Sequence, residues 1–294
     1  MNIAIIGAGE IGRAIEKILS AKSGAGNEIF LWDKDPQKVS GQKPFSEIIP
    51  AADFVFLCVP SFAYIEAVKE IKPILKKGAI VVSLTKGLDS SGKSAGEVLN
   101  EELGGRPFGL LAGPMLAEEI AQGKKSFAVF ASADKESFEK VSELFKNTTL
   151  SVLYSDDVLG TSICSVLKNI YAVLFGVLDG LNLGNDAKGE LTVKVLTEMS
   201  GIVSFLGGKR ETALGLAGLG DFLATSTSKY SKNYQSGVEI AKNKKVETKG
   251  EGIISFGILK NRLGKKIADF PLLKTVGDIL EKPEDIDLLA KNLL

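Results

Sequence analysis

The sequence predicts an α/β fold, with a doubly wound, mostly parallel sheet in the first half of the chain and an all-helical second half. Three observations carry that expectation. Between residue 2 and about residue 153, short runs rich in β-branched residues recur as NIAII, EIFLW, DFVFLCV, AIVVSLT, FGLLAG, SFAVFAS and TLSVLY. Segments of helical period separate them, and the runs are continuously apolar rather than alternating, as expected of strands covered by helices on both faces. After Tyr154 the strand-like runs stop and long helical patterns take over. The predicted division is a sheet-bearing domain over 1–154 and a helical domain over 155–294.

Taking the elements in order, the first strand runs into IAIIGAGEIGRAI, where Gly7, Gly9 and Gly12 stand between an apolar strand and the start of a helical pattern. This is the G-x-G-x-x-G turn of a Rossmann-type dinucleotide site in the context it requires. Gly7 permits the tight turn, Gly9 lets the backbone approach a pyrophosphate, Gly12 lets helix and strand pack closely, and the helix N-terminus receives the negative charge. The second strand, EIFLW, ends at Trp32 and is followed by Asp33, about twenty residues beyond Gly12, where a carboxylate accepts hydrogen bonds from adenosine ribose hydroxyls. The same carboxylate repels a 2′-phosphate, so NAD is expected over NADP. The adjacent Lys34 keeps NADP open, because it can pair with that phosphate.

Five more runs complete the sheet. Ser155 and Asp156 then stand where they can cap a helix through SVLKNIYAVLFGVLDGL. That helix is apolar over most of its circumference yet carries Lys168, Asn169 and Asp179; Lys168 and Asp179 lie about three turns apart, on one stripe. ELTVKVLTEMSGIVSFL and shorter helical stretches finish the chain. The one strongly basic stretch, AKNKKVETKG around Lys242 to Lys249, reads as a solvated loop.

Composition bounds the chemistry. The 294 residues suffice for two ordinary domains, and 45% hydrophobic with 24% charged residues is the balance of a globular protein with a sizeable core. Lysine plus arginine equals aspartate plus glutamate at 36 each, so no global field favours nucleic acid, an anionic membrane surface or another polyanion, and any anion site must be local. The two cysteines, Cys58 and Cys164, offer neither a disulfide framework nor metal-ligand spacing, and suit a reducing cytoplasm. Histidine is absent, which removes the commonest acid/base group and the commonest zinc or iron ligand; lysine, tyrosine or carboxylates must carry proton transfer. With the first strand beginning at Asn2 there is no room for a signal peptide, and no apolar run reaches the roughly 18 residues of a membrane helix. A cytoplasmic protein with no membrane insertion is expected.

Four further segments are SLTKGLD at 83–89, AGPMLAEE at 112–119, SVLKNIYAVLFGVLDGLNLGNDAK at 165–188 and GLAGLGDFLATSTSKYSKN at 215–233. In this order they resemble the NAD(P)-dependent glycerol-3-phosphate dehydrogenases, which reduce dihydroxyacetone phosphate. The likeness spans nearly the whole chain and is far more specific than the glycine turn alone. It implies that Lys168 is the proton donor and acceptor and that Lys86 touches substrate and cofactor. Physical chemistry supports the first role independently, since a lysine in an apolar helix loses hydration and its pKa falls toward the range where it gives and regains a proton. The resemblance also implies that Asp221 meets the substrate hydroxyls and that Ser231, Lys232 and Asn233 hold the substrate phosphate at a helix start. A hydroxyl, an amide and free N–H groups at a helix N-terminus make a phosphate seat on their own terms. Gly113, of the G-P motif, is implied at the substrate. Glu10, Ile11, Ala117, Lys86, Lys232 and Glu251 are implied to line the cofactor with the three glycines and Asp33. For Glu251 a structural salt bridge with the basic loop around it is the competing reading.

Several residues depart from the family's pattern. Lys232 stands where arginine is usual, exchanging a bidentate fork for a point charge. Met115 replaces a small hydroxyl residue and cannot donate a hydrogen bond. Glu10 and Ile11 replace a serine and an aromatic residue inside the glycine turn, which puts an extra carboxylate near the pyrophosphate. The segment DKDPQKVSGQKPFSEIIPAAD is short for the family. The expected reaction is reversible NAD(P)H-dependent reduction of dihydroxyacetone phosphate to sn-glycerol 3-phosphate, with a proton from Lys168 and charge stabilisation of the alkoxide by Lys86. One alternative is a related 3-hydroxyacid dehydrogenase or ketopantoate reductase, for which Met115 and Lys232 leave room. The other is a non-catalytic dinucleotide sensor, in which Lys86, Lys168 and Asp221 would serve no purpose. A homodimer and a role in supplying the backbone of membrane phospholipids follow from the resemblance only.

Overall fold

The computed structural model describes residues 1–21, 26–247 and 250–294; Lys249, the end of the basic stretch, lies outside the described residues. Seven strands form one sheet: β1 (Asn2–Ile6), β2 (Glu28–Trp32), β3 (Phe54–Leu57), β4 (Ile80–Ser83), β5 (Phe108–Ala112), β6 (Ser126–Ala131) and β7 (Leu150–Ser155). Their order is β2-β1-β3-β4-β5-β6-β7. Neighbours from β2 across to β5 are parallel, with Ile5 opposite Leu31 on one side and Phe56 on the other. The exception to the parallel pattern is β5 against β6, which pair antiparallel, so that β6 and β7 run against the first five strands.

Strand residues alternate between two buried layers, which is why the runs read as continuously apolar. Ile3, Ile5, Phe54, Phe56, Ile80 and Val82 pack with Ile15 and Leu19 of α1 (Glu10–Ala21) and with Val141, Leu144 and Phe145 of the helix Lys135–Phe145. Ala4, Ile6, Val55, Leu57 and Val81 pack on the other side. Their partners are Ile48 and Ile49 of α2 (Phe45–Ala51), Tyr64 and Val68 of α3 (Ser61–Ile71), and Val98 and Leu99 of α4 (Ala95–Leu103). Burying one such large side chain contributes about 1.5–3 kcal/mol. Chain order reverses at β1, which has β2 on one side and β3 on the other; a crevice at the carboxyl ends of the strands is where this topology places a ligand. A short helix, α5 (Ala117–Ala121), follows β5, and the helix Lys135–Phe145 is α6.

Beyond β7 the chain is helical. The long helix α7 (Val158–Gly180) is capped by Asp157, whose Oδ1 accepts from the Gly160 N–H at 2.8 Å. This corrects the expected cap. Ser155 closes β7 and accepts from the Asp157 N–H, while Asp156 pairs with Lys209 in solvent. Asp157 takes the position because its second oxygen also accepts from the Lys209 amide at 2.9 Å and the Thr212 hydroxyl at 2.5 Å, joining the helix start to the segment beyond the next helix. With 23 residues, α7 is long and apolar enough by length and composition to cross a membrane, against the expectation that no segment would be. It is instead the buried axis of the helical part, with 89% of its most apolar stretch inside the molecule.

Around it stand α8 (Gly184–Phe205), α9 (Asp221–Ser226), α10 (Lys232–Asn243), α11 (Glu251–Leu263) and α12 (Pro271–Glu281). Glycines bring α7 and α10 to backbone contact: a Cβ on Gly176 would collide with the Tyr234 carbonyl, and one on Gly237 with the Val173 carbonyl. The Tyr234 hydroxyl donates to Asp179 at 2.6 Å, and Lys188 pairs with the same carboxylate at 2.5 Å. Asp179 therefore ties α10 and α8 to α7. Despite sharing a stripe with Lys168, it is no partner of that lysine.

Candidate active site

The glycine turn is built as its spacing predicts. Gly7 has φ of +105°, and a Cβ there would lie 2.6 Å from the Cys58 carbonyl, so both its backbone shape and its contact with the end of β3 require glycine. A side chain on Gly12 would run into the carbonyl of Gly7, whereas Gly9 faces open space with nothing within 4 Å of a Cβ. Two hollows meet at this turn and share Gly9, Cys58, Val59 and Pro60. The first is lined by Gly7, Trp32, Asp33, Lys34, Lys38, Phe45 and Phe62. The second is lined by Glu10, Ile11, Lys86, Met115, Ala117, Lys168, Asn169, Thr225, Ser231, Lys232, Asn233 and Glu251. A dinucleotide fits this crevice: one end has an apolar shelf beside a carboxylate, the middle is bare backbone at the N-terminus of α1, and the far end reaches the lysines.

At the first hollow, Asp33 is already engaged. Its Oδ2 accepts from the Ala8 N–H at 2.8 Å, and its Oδ1 from the Asp35 N–H at 3.0 Å and Lys38 Nζ at 3.3 Å. Burial pushes its pKa up, but the amides of Asp35 and Ala8 and the Lys38 ammonium outweigh burial and hold the carboxyl below the usual range. Asp33 thus braces the glycine turn as well as facing the hollow, and its charge is partly cancelled by Lys38. Sequence reasoning weighed Lys34 for that end of the site and missed Lys38, which a turn of 3₁₀-helix at Pro36–Lys38 folds back onto Asp33. Lys34 also lines the hollow, exposed, with its Nζ 3.9 Å from Glu66.

Lys86 and Lys168, which line the second hollow, share the carboxylate of Asp221, which is buried and does not line it, in a cluster of three charges. Lys168 Nζ donates to Asp221 Oδ1 at 2.9 Å and to the Thr225 hydroxyl at 2.8 Å. From the other side, Lys86 Nζ donates to Asp221 Oδ2 at 2.8 Å and to the Gly113 carbonyl at 3.3 Å. Asp221 is 1% exposed and Lys168 5% exposed. Desolvation lowers the Lys168 pKa to about 8, against the pull of Asp221 and with help from the neighbouring Lys86 charge. Burial raises the Asp221 pKa, but the two lysines more than reverse that and hold it ionised, below the usual carboxylate range. The cluster carries a net charge of one positive unit, a setting suited to an anion.

The local folding of each segment explains this placement. Lys86 lies in the loop just beyond β4, at the carboxyl end of the sheet. Gly113 follows β5 with φ of +143°, and a Cβ there would come within 2.8 Å of the Phe127 carbonyl, so the position requires glycine; its carbonyl accepts from Lys86. Asp221 opens α9 directly after a single π-helical turn over Leu216–Gly220, where the Gly220 N–H donates to the Gly215 carbonyl at 3.1 Å. Such turns are rare and recur at functional sites. The glycines permit the turn, since a Cβ on Gly218 would strike the Ala213 carbonyl. Thr225, which sequence reasoning missed, lies one turn after Asp221 on α9; the i, i+4 spacing in DFLAT was its only signal.

Ser231 and Asn233 sit at the start of α10, with Lys232 between them. Ser231 is the N-cap, its Oγ accepting from the Tyr234 N–H at 3.2 Å, and Asn233 Oδ1 accepts from the Gly252 N–H at 2.9 Å. The Ser231 hydroxyl hydrogen and the Asn233 Nδ2 have no acceptor among the described residues. Lys232 is exposed and its Nζ lies 3.6 Å from Glu10 Oε1. Glu251 forms no salt bridge among the described residues. It packs against Gly87 and Ser61 with Oε1 buried and unpartnered, and burial raises its pKa against the opposing Ser61 hydroxyl and amide. Met115 is buried and lines the same hollow, as does Ala117 at the start of α5. Among the described residues, no group of three or more metal-binding side chains occurs.

Comparison with known proteins places this geometry. Residues 36–138 match the N-terminal part of the NAD-dependent glycerol-3-phosphate dehydrogenase family, and residues 157–291 match its C-terminal part. The chain is 33% identical to a glycerol-3-phosphate dehydrogenase [NAD(P)+] of Clostridium tetani over 84% of this chain and 76% of that one. It is 31% identical to that of Moorella thermoacetica over 97% and 93%. Among solved structures, the glycerol-3-phosphate dehydrogenase of Coxiella burnetii superposes with a TM-score of 0.90 at 28% identity, covering 99% of this chain and 98% of that one.

Proposed function

The chain belongs to the NAD-dependent glycerol-3-phosphate dehydrogenase family, and on that premise we propose that it reduces dihydroxyacetone phosphate reversibly to sn-glycerol 3-phosphate. One observation carries the assignment of roles: a buried lysine with a lowered pKa, held by a carboxylate that a second lysine shares, at the end of a crevice that begins at a dinucleotide turn. A nicotinamide dinucleotide, NAD or NADP, supplies the hydride when bound. Gly7, Gly9 and Gly12 with the N-terminus of α1 would hold its pyrophosphate, Asp33 would meet its adenosine ribose, and Glu10, Ile11, Ala117 and Glu251 would line its path.

Lys168 gives the proton. An ammonium has three donors, and Asp221 and Thr225 take two of them, which leaves one for the cavity that Lys168 lines. Lys86 likewise keeps one donor beyond those given to Asp221 and Gly113, and its charge stabilises the developing alkoxide. In the oxidative direction a neutral Lys168 takes the hydroxyl proton back. Asp221 orients both ammonium groups, and its meeting with substrate hydroxyls is what the resemblance to the family implies. Ser231, Lys232 and Asn233 with the N-terminus of α10 seat the phosphate.

We take residues 1–154 as the dinucleotide-binding domain and 155–294 as the substrate-binding domain. The cytoplasm is the proposed compartment, consistent with two buried free cysteines. A homodimer is the proposed assembly, checked by light scattering. The decisive test follows NADH oxidation at the nicotinamide absorbance. Dihydroxyacetone phosphate is expected to drive it and unphosphorylated dihydroxyacetone to fail, while Lys168→Ala lowers kcat by about 10²–10⁴-fold with cofactor binding retained. Normal turnover by a folded Lys168→Ala variant, or equal rates without the phosphate, overturns the assignment.

A further inference from the structure

Two anion seats face each other across the mouth of the cleft, and one pair of opposite charges joins them. Glu10 is the first residue of α1, on the glycine turn, and Lys232 is the first residue of α10, in the proposed phosphate seat. Lys232 Nζ lies 3.6 Å from Glu10 Oε1, and both residues line the same hollow. Neither makes another ion pair among the described residues, and their side chains are 79% and 66% exposed, so both can swing between partners.

Electrostatics assigns opposite effects to the two. A carboxylate at the N-terminus of α1 satisfies the same positive helix end that a pyrophosphate needs, so Glu10 alone opposes the dinucleotide. Lys232 is the cation paired with it among the described residues and screens that repulsion. The same ammonium is a point charge on a flexible stem at the N-terminus of α10, where a substrate phosphate would compete for it.

Resting on the reading of the cleft given above, we propose that Lys232 is shared between Glu10 and the substrate phosphate. Glu10 then acts as a positioning residue that makes cofactor affinity depend on whether the phosphate seat is filled. With the seat empty, Lys232 masks Glu10 and the dinucleotide binds well. A phosphorylated substrate draws Lys232 away, unmasks Glu10 and weakens the hold on the pyrophosphate. The pair therefore couples the two ligands negatively, which favours exchange of cofactor while a phosphorylated ligand is present.

The test is a double-mutant cycle on NADH binding, read by energy transfer from Trp32, the sole tryptophan of the chain, which lines the adenosine end of the crevice. Kd for NADH is measured for wild type, Glu10→Ser, Lys232→Ala and the double variant, each with and without saturating glycerol 3-phosphate. An exposed ion pair is worth a factor of about 1.4–5 in an equilibrium constant. Glu10→Ser is thus expected to tighten NADH binding more in the Lys232→Ala background than in wild type, by such a factor, and the difference should fade in 1 M salt. Glycerol 3-phosphate should weaken NADH binding more in wild type than in Glu10→Ser. If the substitutions act independently and glycerol 3-phosphate affects wild type and Glu10→Ser alike, the shared-lysine proposal is wrong while the reading of the cleft stands. If wild type binds no NADH at all, that reading falls and takes the proposal with it.

Discussion

Asp221 serves two ammonium groups, the buried Lys168 and the half-buried Lys86, with one carboxylate, and this imbalance governs what substitutions do at the scale of single residues. In Asp221→Asn, Lys86 and Lys168 face each other without a counter-charge. Removing one partner of a buried ion pair costs about 3–5 kcal/mol, so the variant should melt well below wild type in a thermal scan. The loss also removes the attraction that holds the Lys168 proton, so reduction by this variant should fail at lower pH than in wild type. At the other end of the crevice, Lys38 offsets the Asp33 charge that would otherwise repel a 2′-phosphate. Lys38→Ala should lower kcat/KM for NADPH relative to NADH by about 2–5-fold, the range of an exposed pair; an unchanged ratio would separate Lys38 from cofactor choice. Lys168 was legible on its own terms, because a charged side chain inside an apolar helix needs a reason to be there, whereas Lys86 and Asp221 were singled out only by the resemblance to the family. Their mutual pairing was not legible. It depends on loops converging from β4, β5 and a π-helical turn, and no spacing in the sequence encodes that convergence.

Elements carry the site through a few close backbone approaches. The start of α10 reaches the cleft because Gly176 and Gly237 let α7 and α10 touch. Gly237→Ala forces them apart; overpacking of this kind costs about 1–3 kcal/mol, and the displaced Ser231–Asn233 seat should raise KM for the phosphorylated substrate more than KM for NADH. Equal changes in both would mean that α10 does not hold the phosphate. The strands were legible to within a residue or two because apolar runs bounded by turn residues leave little choice. The cap of α7 was misplaced because Ser155, Asp156 and Asp157 are all competent caps, and the choice fell to tertiary partners, Lys209 and Thr212, more than fifty residues away. The length and apolarity of α7, which alone would suit a membrane, likewise acquire their meaning only from the helices that cover it.

At the scale of the whole molecule, the sheet contributes the glycine-turn end of the crevice and the helices contribute Lys168 and the Ser231–Asn233 segment, so on the proposed roles neither half is competent without the other. Ligand binding should therefore stabilise the chain as a unit. NADH at about 100 times its Kd is expected to add about 2.7 kcal/mol, seen as a raised melting temperature. Neutral overall charge in the sequence meant that any anion site must be local, and the cluster of Lys86, Lys168 and Asp221, with its net positive charge, is a local field of that kind.

The measurement that bears most directly on the central claim is the pH dependence of kcat in both directions for wild type and Lys168→Ala. Reduction needs Lys168 protonated, so its rate should be level below the lowered pKa of about 8 and fall above it, while oxidation of glycerol 3-phosphate, which needs the neutral amine, should rise through the same region and level off. Both inflections should vanish in Lys168→Ala. Reduction that stays level from pH 7 to 10, or a profile that survives loss of the lysine, would contradict Lys168 as the proton donor.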